Sequence, residues 1–421
     1  MGGLDQEQPV DPAMVLLPNN VDIIPSLIKD ISDRAQAVID GKYSSRQELV
    51  IMCRALAQAV ETPRETMIRH CWAETGAMAA INFGIDCGLW ALMARNGDGS
   101  QTVMDLAAAL SVDAILLSRV MRHLAAMGYI AETGQEEYKP TNYSKALSLP
   151  VIGNGYLAIL SCTGAAPLKF HEFSRQREWI NPTDTNDTSL MHAYGTNMGT
   201  FNWLQHCGYG SHFNDHMAGR RLGRLPWMSP AFYPVQQRLV DGAITDPEAP
   251  FLVDIGGNVG HDLAEFRTMF PNVPGRLILQ DLPIVISQIT DLDPSIERMG
   301  YDVHDEQPVK GARAYYVHSL LNNFANATCE RILGRIREAM RPGYSKLIIN
   351  EFVMPTSDAF WETSALDMVM LTLFSGQERT MVAWRHLLEE RAGLSIVKVW
   401  SGGKGVQDII ECELLPTDSA Y

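Results

Sequence analysis

The sequence predicts an α/β protein in which a helical N-terminal part precedes an open, mostly parallel sheet. Three observations lead to this fold class. Residues 20–80 repeat apolar side chains at three- and four-residue steps, as amphipathic helices do. From residue 250, short apolar strands alternate with helices, which is typical of βα units. A glycine-rich turn joins the first of these strands to its helix, as at the ligand-binding turns of such sheets.

The composition argues against several classes of partner. Hydrophobic residues make up 46% of the 421 residues, and the net charge of −15 disfavours nucleic acid and anionic membranes. The seven cysteines are odd in number and form no CxxC pair, so neither a metal site nor a disulfide framework is predicted. No uninterrupted apolar run reaches membrane-spanning length, and the acidic first residues lack the organisation of a secretion signal. We therefore expect a cytoplasmic protein.

Residues 1–150 are predicted to form a helical domain. Residues 77–93 (AMAAINFGIDCGLWALM) are predicted to form a helix that is apolar on nearly every face, which suits a deep core or a subunit interface. Two further helices are followed by IAETGQEEYKPT, which resembles a two-stranded wing. A helix-turn-helix with a wing serves either DNA recognition, here through Arg119, Arg122 and His123, or dimerisation. The acidic chain and the few cations favour dimerisation.

Residues 151–245 are predicted to link this domain to the sheet and to line a pocket. The segment is rich in aromatic, histidine and glycine residues, as in HAYGTNMGTFNWLQHCGYGSHFNDHM. Helices that carry apolar bodies with polar tips suit the wall of a small-molecule pocket. The remaining residues, 246–421, are predicted to form the sheet domain.

Regular βα alternation defines the sheet domain. Predicted strands are FLVDI, RLILQDLP, ARAYYVHSL and KLIINEFVMP, and predicted helices are HDLAEFRTMF and CERILGRIREAM. SIVKVW and DIIECELL are predicted to close the sheet as an antiparallel pair. The whole predicts an open sheet whose ligand lies at the carboxyl ends of the strands.

The turn after the first strand predicts a cofactor site. In Asp254-Ile255-Gly256-Gly257-Asn258-Val259-Gly260, the first two glycines permit a tight turn and close approach of a ligand. Asp281 ends the next strand, where a carboxylate accepts hydrogen bonds from the hydroxyls of a ribose. Both NAD and S-adenosylmethionine (SAM) fit this logic. The spacing D-x-G-G-x-x-G favours SAM, because the strict GxGxxG that seats a pyrophosphate is absent.

Five motifs together resemble those of one enzyme family. LVDIGGNVGHD, QDLP, YYVHSLLNNF, IINEFVMP and SGQERT occur in the order found in plant- and fungal-type SAM-dependent O-methyltransferases, the caffeate O-methyltransferase-like group. The resemblance covers residues 20–415. It implies a C-terminal Rossmann-like class I methyltransferase domain after an N-terminal α-helical winged-helix dimerisation domain. It also implies a homodimer in which each subunit contributes to the other's pocket.

The resemblance assigns the cofactor residues by position. Those implied to hold SAM are Asp254, Gly256, Gly257, Asp281, Leu282, Asp302, Val303 and His318. Asp302 would lie near the adenine, and His318 stands where the family usually has lysine or arginine. Asn258 replaces a common third glycine.

The chain departs from the family at the position of the catalytic base. The family pattern L-H-D-W supplies a histidine that takes the proton of the acceptor hydroxyl, whereas this chain has Leu321-Asn322-Asn323-Phe324. Asparagine cannot act as a general base. The two carboxylates that flank that histidine in the family correspond to Glu351 and Glu378. Loss of a general base typically lowers the rate by about 10²–10⁴-fold.

A second resemblance suggests a function for a site without that base. The chain is similar to fungal methyltransferase-like SAM-dependent pericyclases of pyridone alkaloid and related polyketide pathways, which have lost the same histidine. These proteins keep SAM bound and catalyse dehydration followed by Diels–Alder, hetero-Diels–Alder or Alder-ene closure. The resemblance implies a polyketide-derived small-molecule substrate and carbonyl-orienting donors at Asn322 and Asn323. We expect His171 to help in acid–base chemistry.

Two alternatives stay open. The first is an O-methyltransferase for a small phenolic or enolic metabolite, with an already acidic substrate or with His171, His206 or His304 as the base. The second is a SAM-binding or DNA-binding regulator without catalysis. The retained carboxylates Glu351 and Glu378 argue mildly against a regulator.

Overall fold

The computed structural model describes residues 10–42 and 45–414, and the chain divides into two compact units after Ser148. This division lies close to the domain boundary predicted at residue 150. Residues 1–9 of the predicted first domain, and residue 415 of the last predicted strand, lie outside the described residues.

The N-terminal unit contains eight α-helices and a small antiparallel sheet with strand order β1-β3-β2 among its described residues. The helices are α1 (Ile24–Ile39), α2 (Arg46–Val60), α3 (Pro63–Ile68), α4 (Thr75–Asp86), α5 (Leu89–Asn96), α6 (Val103–Leu110), α7 (Ala114–Ala126) and α8 (Asn142–Ala146). The strands are β1 (Gln101–Thr102), β2 (Ile130–Gly134) and β3 (Glu137–Pro140). The two helices and hairpin predicted for this region are present as α6, α7, β2 and β3.

The single helix predicted for residues 77–93 is wrong, because the structure breaks it into α4 and α5. Gly88 adopts a left-handed conformation (φ 79°), which ends α4 and redirects the chain. Trp90 then folds back, and its indole Nε1 donates to the Ile81 carbonyl at 3.1 Å. A Cβ at Gly84 would lie 2.6 Å from the Trp90 ring, so only glycine permits this packing.

Five helices precede the large sheet: α9 (Pro150–Gly155), α10 (Ala165–Gln176), α11 (Ser189–Tyr194), α12 (Thr200–His206) and α13 (Gly210–Arg221). One continuous helical run, Pro150–Gln176, is long and apolar enough to cross a membrane by length and composition. The sequence prediction considered only uninterrupted apolar runs and did not anticipate this helix. Polar residues such as Asn154 interrupt the apolar run without ending the helix. Asn154 donates to Asp215 of α13 at 2.6 Å, and α10 packs against α11 and against the later helix Trp361–Phe374. Helices that pack against protein in this way also pass such a test.

The C-terminal sheet has seven strands in the order β11-β12-β8-β7-β4-β5-β6. Its elements and those beside it are β4 (Pro250–Ile255), α14 (His261–Met269), β5 (Arg276–Asp281), α15 (Pro283–Ile286), β6 (Ile296–Gly300), β7 (Ala314–His318), α16 (Asn326–Ala339), β8 (Lys346–Glu351), β9 (Val353–Met354), α17 (Trp361–Phe374), β10 (Arg379–Thr380), α18 (Met381–Arg385), β11 (Ser395–Trp400) and β12 (Asp408–Glu413). Strands β4 to β8 are parallel, and β12 is antiparallel to both β8 and β11. The predicted strands and terminal antiparallel pair are confirmed.

Several shorter helical segments complete the chain: Pro12–Leu16, Val21–Ile23, Arg69–Glu74, Tyr156–Ser161, Gln236–Val240, Leu321–Asn323 and His386–Arg391. Strand β6 was not predicted from the sequence. Its residues IERMG include two charged side chains and are only partly buried, so they lack the apolar run of the other strands.

Apolar clusters cover both faces of the large sheet. On one face Val253, Tyr315 and Ile349 pack among α16 and the segment after α18, and on the other Leu252 and Tyr316 pack with Trp227. A parallel sheet buried on both faces presents polar groups to a ligand chiefly at the ends of its strands. The carboxyl ends of β4, β5, β7 and β8 therefore define where a site can form.

Candidate active site

A cavity of about 500 Å³ lies at the carboxyl ends of β4, β7 and β8, within the C-terminal unit. The glycine turn, the end of α13 and the segment before β12 enclose it. Its lining includes Arg220, Arg221, Gly256, Gly257, His318 and Gln407. Three of the predicted cofactor residues therefore line this cavity.

The glycine turn packs closely against the protein at two positions that have no side chain. Gly256 is left-handed (φ 72°), and its N–H donates to the Gln280 carbonyl at 2.8 Å. A Cβ at Gly257 would overlap the carboxylate of Asp254. Asn258 is also left-handed (φ 54°) and donates its N–H to Asp281 Oδ2 at 2.8 Å. Asparagine tolerates this conformation, which explains how it can stand in place of a glycine.

Asp254 is the buried acid beneath this turn. It is fully buried, and neither of its carboxylate oxygens has a hydrogen-bond partner among the described residues. Burial, reinforced by the neighbouring Asp262 carboxylate, raises the pKa of Asp254 well above its usual range. A carboxylate without a donor fits a ligand that brings a cationic group, and the ammonium of SAM is such a group.

Asp281, at the end of β5, holds the glycine turn. Its Oδ1 accepts from the Leu282 N–H at 2.7 Å and its Oδ2 from the Asn258 N–H. Burial raises the pKa of Asp281, and these two bonds oppose the effect. Each oxygen keeps a lone pair for a ribose hydroxyl. Asp302 and Val303 follow β6 nearby, outside the cavity lining, and Asp302 Oδ1 accepts from the His304 N–H at 3.0 Å.

His318 ends β7 inside the cavity and links two elements. Its Nδ1 lies 2.6 Å from Asp262 Oδ2, and its Nε2 lies 2.7 Å from Gln407 Oε1. Arg221 also contacts Asp262 at 2.6 Å. Although burial opposes ionisation of Asp262, His318 and Arg221 lower its pKa to about 2. Asp262 therefore stays ionised and holds His318 at the cavity wall.

A second cluster lies where β7 and β8 end, and it contains Asn322, Glu351 and Glu378. The Asn322 Nδ2 donates to Glu378 Oε1 at 2.7 Å. Glu351 Oε1 accepts from the backbone N–H groups of Leu320 at 3.0 Å and Leu321 at 2.6 Å. Asn322 is 1% exposed, Glu351 0% and Glu378 6%. Of the two carboxyl groups predicted to flank position 322, Glu378 hydrogen-bonds to the Asn322 side chain and Glu351 to the backbone just before it.

The chain fixes this cluster through backbone contacts. Arg379 Nη1 donates to the Leu321 carbonyl at 2.9 Å and Nη2 to the Phe324 carbonyl at 2.7 Å. The Gln377 N–H donates to the Asn322 carbonyl at 3.0 Å. A Cβ at Gly376 would overlap that same carbonyl oxygen. The loop that carries Glu378 can approach Asn322 because residue 376 has no side chain.

Burial governs the protonation of the two glutamates. Burial, followed by the charge of Glu378, raises the pKa of Glu351 to about 8. Burial likewise raises the pKa of Glu378 to about 7, although the hydrogen bond from Asn322 opposes it. Near neutral pH the pair therefore holds at least one proton.

Two predicted catalytic residues are used differently from the expectation. Asn323 Nδ2 donates to the carbonyl oxygens of Ser319 and Leu320, both at 3.1 Å, so both of its amide hydrogens are engaged. His171 lies on α10 with a 61% exposed side chain beside Glu172, and it does not line the cavity. The structure therefore brings together Asn322, Glu351 and Glu378, whereas Asn323 serves the turn and His171 stays outside.

The alternative bases are not hydrogen-bonded to the cluster either. His206 stacks near Trp203 with ring centroids 5.9 Å apart, and the His304 ring lies 5.5 Å from that of Phe324. Across residues 10–42 and 45–414, no histidine hydrogen-bonds to Asn322, Glu351 or Glu378. Asp262, Arg220 and Gln407 were missed by sequence reasoning. Asp262 alone had a local indication, as an acid in the first turn after the glycine loop.

The fold and site together define the class of protein. The seven-stranded sheet, the open glycine turn, the orphaned Asp254 carboxylate and Asp281 constitute a class I methyltransferase fold with a SAM site. The family profile described as the O-methyltransferase domain matches residues 247–395. SAM is the cofactor, and of the residues predicted to hold it, Gly256, Gly257 and His318 line the cavity.

Curated relatives identify the family. O-methyltransferase mfmE of Annulohypoxylon moriforme is 35% identical over 370 residues, which is 88% of this chain and 90% of that protein. O-methyltransferase penC of Penicillium thymicola is 32% identical over 372 residues, or 88% of this chain and 91% of that protein. The chain belongs to the O-methyltransferase family.

Several solved structures share the fold of this chain. A protein described as a pericyclic reaction enzyme has a TM-score of 0.82 and 26% identity, covering 94% of this chain and 100% of that chain. LepI in complex with SAM has a TM-score of 0.80 and 26% identity, covering 92% of this chain and 100% of that chain. OxaC, at 24% identity and a TM-score of 0.83 over 93% of this chain and 99% of that chain, shares the fold.

Proposed function

We propose that this protein is a SAM-binding pericyclase that acts on a polyketide-derived small molecule. The reaction would be dehydration, a Diels–Alder, hetero-Diels–Alder or Alder-ene cyclisation, or both in sequence, with SAM bound and not consumed. The observation that carries the proposal is Asn322. Its carboxamide is hydrogen-bonded to Glu378, and the sequence resemblance implies that it stands where caffeate-type O-methyltransferases have their base.

The chemistry of the site suits closure of a ring better than removal of a proton by a base. Asn322 uses one amide hydrogen on Glu378 and keeps the second for a substrate carbonyl. Arg220 lines the cavity and presents a positive charge to an oxygen that becomes negative in the transition state. A fixed cavity selects one folded conformer of a flexible substrate. When bound, SAM would supply a further positive charge through its sulfonium.

The similarity to the pericyclic reaction enzyme and to LepI supports this proposal, because it extends over nearly the full length of both chains. The proposal includes a homodimer, as the resemblance implies, and the cytoplasmic location expected from the composition of the sequence. Sedimentation of the purified protein tests the dimer.

The alternative function is methyl transfer to a phenolic or enolic hydroxyl. The curated relatives named O-methyltransferases favour it. It requires an acceptor that is already acidic, or a base other than residue 322, because Asn322 cannot take a proton.

The test is mass spectrometry of purified protein with SAM and with the compound that accumulates when its gene is deleted in the source organism. A product that is isomeric or lighter by water, with SAM unconsumed, supports the pericyclase. A product heavier by one methylene, with S-adenosylhomocysteine formed in equal amount, overturns it. Replacing SAM by S-adenosylhomocysteine removes the sulfonium charge and is expected to slow the cyclisation.

A further inference from the structure

We propose that Glu378, positioned by Glu351, carries the transferable proton of this site. Glu378 then performs the proton transfer that a histidine at position 322 would otherwise perform. The inference rests on the proposed function for the identity of the reaction, but the protonated carboxyl group itself is a property of the protein.

Unpaired oxygen atoms are the first observation. Asn322 Oδ1, Glu351 Oε2 and Glu378 Oε2 are all buried, and none has a hydrogen-bond partner among the described residues. All three are acceptors whenever both glutamates are ionised. Three buried acceptors without a donor are costly, whereas one carboxyl proton supplies a donor inside the cluster. A proton held by the two glutamates therefore supplies a donor to these acceptors in addition to the second amide hydrogen of Asn322.

The charges that face the pair do not replace this proton. Glu378 faces Arg220 and Arg379 as cations, and Asp367, whose Oδ1 accepts the Glu378 N–H at 2.8 Å, as an anion. Glu351 faces Glu378, Arg379 and the Cys329 thiol. The Arg379 guanidinium is engaged with the carbonyls of Leu321 and Phe324 and with Asn326 Oδ1, so it pairs with neither carboxyl.

Neither carboxyl group lines the cavity, but Glu378 is the one that is partly accessible and acted on by the charge of a cavity residue. The charge of Arg220, which lines the cavity, lowers the pKa of Glu378, whereas Glu351 is fully buried and bonded to the backbone of Leu320 and Leu321. Arg220 has no hydrogen bond to a carboxylate among the described residues, and its one recorded bond is to the Met217 sulfur at 3.9 Å. Glu378 is therefore the group that can exchange a proton with a substrate, and Glu351 is the positioning residue that keeps that proton in place.

The proton balance of a dehydration follows from this arrangement. The Glu378 carboxyl gives its proton to the leaving hydroxyl, and the C–O bond breaks with its electron pair going to the departing water. An acidic enol O–H of the same substrate returns a proton to the Glu378 carboxylate. The net change is the loss of one water, and no oxidant or reductant is needed. In the methyl-transfer alternative, the ionised Glu378 takes the proton of the acceptor hydroxyl.

Infrared spectroscopy of the SAM-loaded protein tests the proton directly. At about pH 6, above the ordinary pKa of glutamate, we expect a carboxylic acid C=O band that shifts in D₂O and is weaker in Glu378→Gln than in the unaltered protein, because the buried Glu351 keeps its own proton. The matched control is Glu306→Gln, since Glu306 is exposed and paired with Lys310 at 2.7 Å. The control is expected to keep the band at full strength. Absence of the band from the unaltered protein, or an undiminished band in Glu378→Gln, would overturn the proposal.

Turnover separates this inference from the proposed function. Water loss or methylation in Glu378→Gln is expected to fall by about 10²–10⁴-fold, with an unchanged circular dichroism spectrum and unchanged SAM affinity. Glu351→Gln is expected to move the pH profile of kcat rather than to abolish the reaction. If the protein proves to be a methyltransferase and its carboxyl group is protonated, the pericyclase proposal is refuted and this inference stands. If Glu378→Gln catalyses the cyclisation at the full rate, this inference is refuted and the pericyclase proposal stands.

Discussion

Substitution of Glu378 by glutamine should change how the stability of the protein depends on pH. In the folded protein the pKa of Glu378 is about 7, against an ordinary value of 4.5, because the side chain is buried. The folded state therefore binds the proton more tightly than the unfolded state. The resulting stabilisation is complete below the ordinary pKa and is lost as the pH rises through about 7.

The size of the effect follows from the two pKa values. One pKa unit corresponds to about 1.36 kcal/mol, so the gap between the unfolded and folded values corresponds to roughly 3 kcal/mol of unfolding free energy. Glu378 is only 6% exposed, so solvent screens little of this effect. Glu351, whose pKa is about 8, adds a loss of the same sign at slightly higher pH.

Urea unfolding at a series of pH values measures this loss. The unaltered protein should lose unfolding free energy between about pH 4.5 and pH 8. Glu378→Gln should lose much less, because the variant lacks one titrating group and removes the charge that raises the pKa of Glu351. Glu306→Gln is the control, and its curve should run parallel to that of the unaltered protein because exposed ion pairs contribute little. Parallel curves for the unaltered protein and Glu378→Gln would refute the reasoning.

Three further substitutions test other parts of the site. Gly376→Ala places a Cβ on the Asn322 carbonyl oxygen and should lower the unfolding free energy by about 1–3 kcal/mol in the same urea assay. Gly334→Ala is the control and should be neutral or stabilising, because its added Cβ meets nothing within 4 Å. Asp254→Asn should raise stability without SAM, because it removes an unpaired buried carboxyl, yet weaken SAM binding by about 10-fold or more in calorimetry; an unchanged Kd would contradict the role given to Asp254. Asn322→His should restore some methylation of a phenolic surrogate, measured as S-adenosylhomocysteine formed, if only the base is missing, and no gain would make cavity shape the deciding factor.

Local sequence patterns were sufficient for the elements of the large sheet. Strand β4 and the turn Asp254–Gly260 could be predicted because an apolar run, two adjacent glycines and a following amphipathic helix are all contiguous in sequence. Asp281 could be predicted because it ends the next strand of the same βα unit. The helix predicted for residues 77–93 failed because its apolar pattern does not reveal that Gly88 is left-handed.

The hydrogen-bond partners of side chains could not be predicted in the same way. Nothing in the sequence distinguishes Asn322, which donates to a carboxyl group, from Asn323, which donates to its own backbone turn. The sequence likewise suggested His171 as a helper, although the structure leaves it exposed on α10. Arg220 and Gln407 reach the cavity from elements far apart in the chain.

The sequence by itself determined the fold class, the cofactor turn and the identity of residue 322, because each depends on residues that are neighbours along the chain. Only the tertiary structure decided that Glu351 and Glu378 meet at Asn322 with unpaired oxygens. That meeting depends on Gly376, which lets one loop approach another, and on Arg379, which holds the turn after β7. The protonation of a carboxyl group depends on its burial and on the charges that face it, and folding alone creates both.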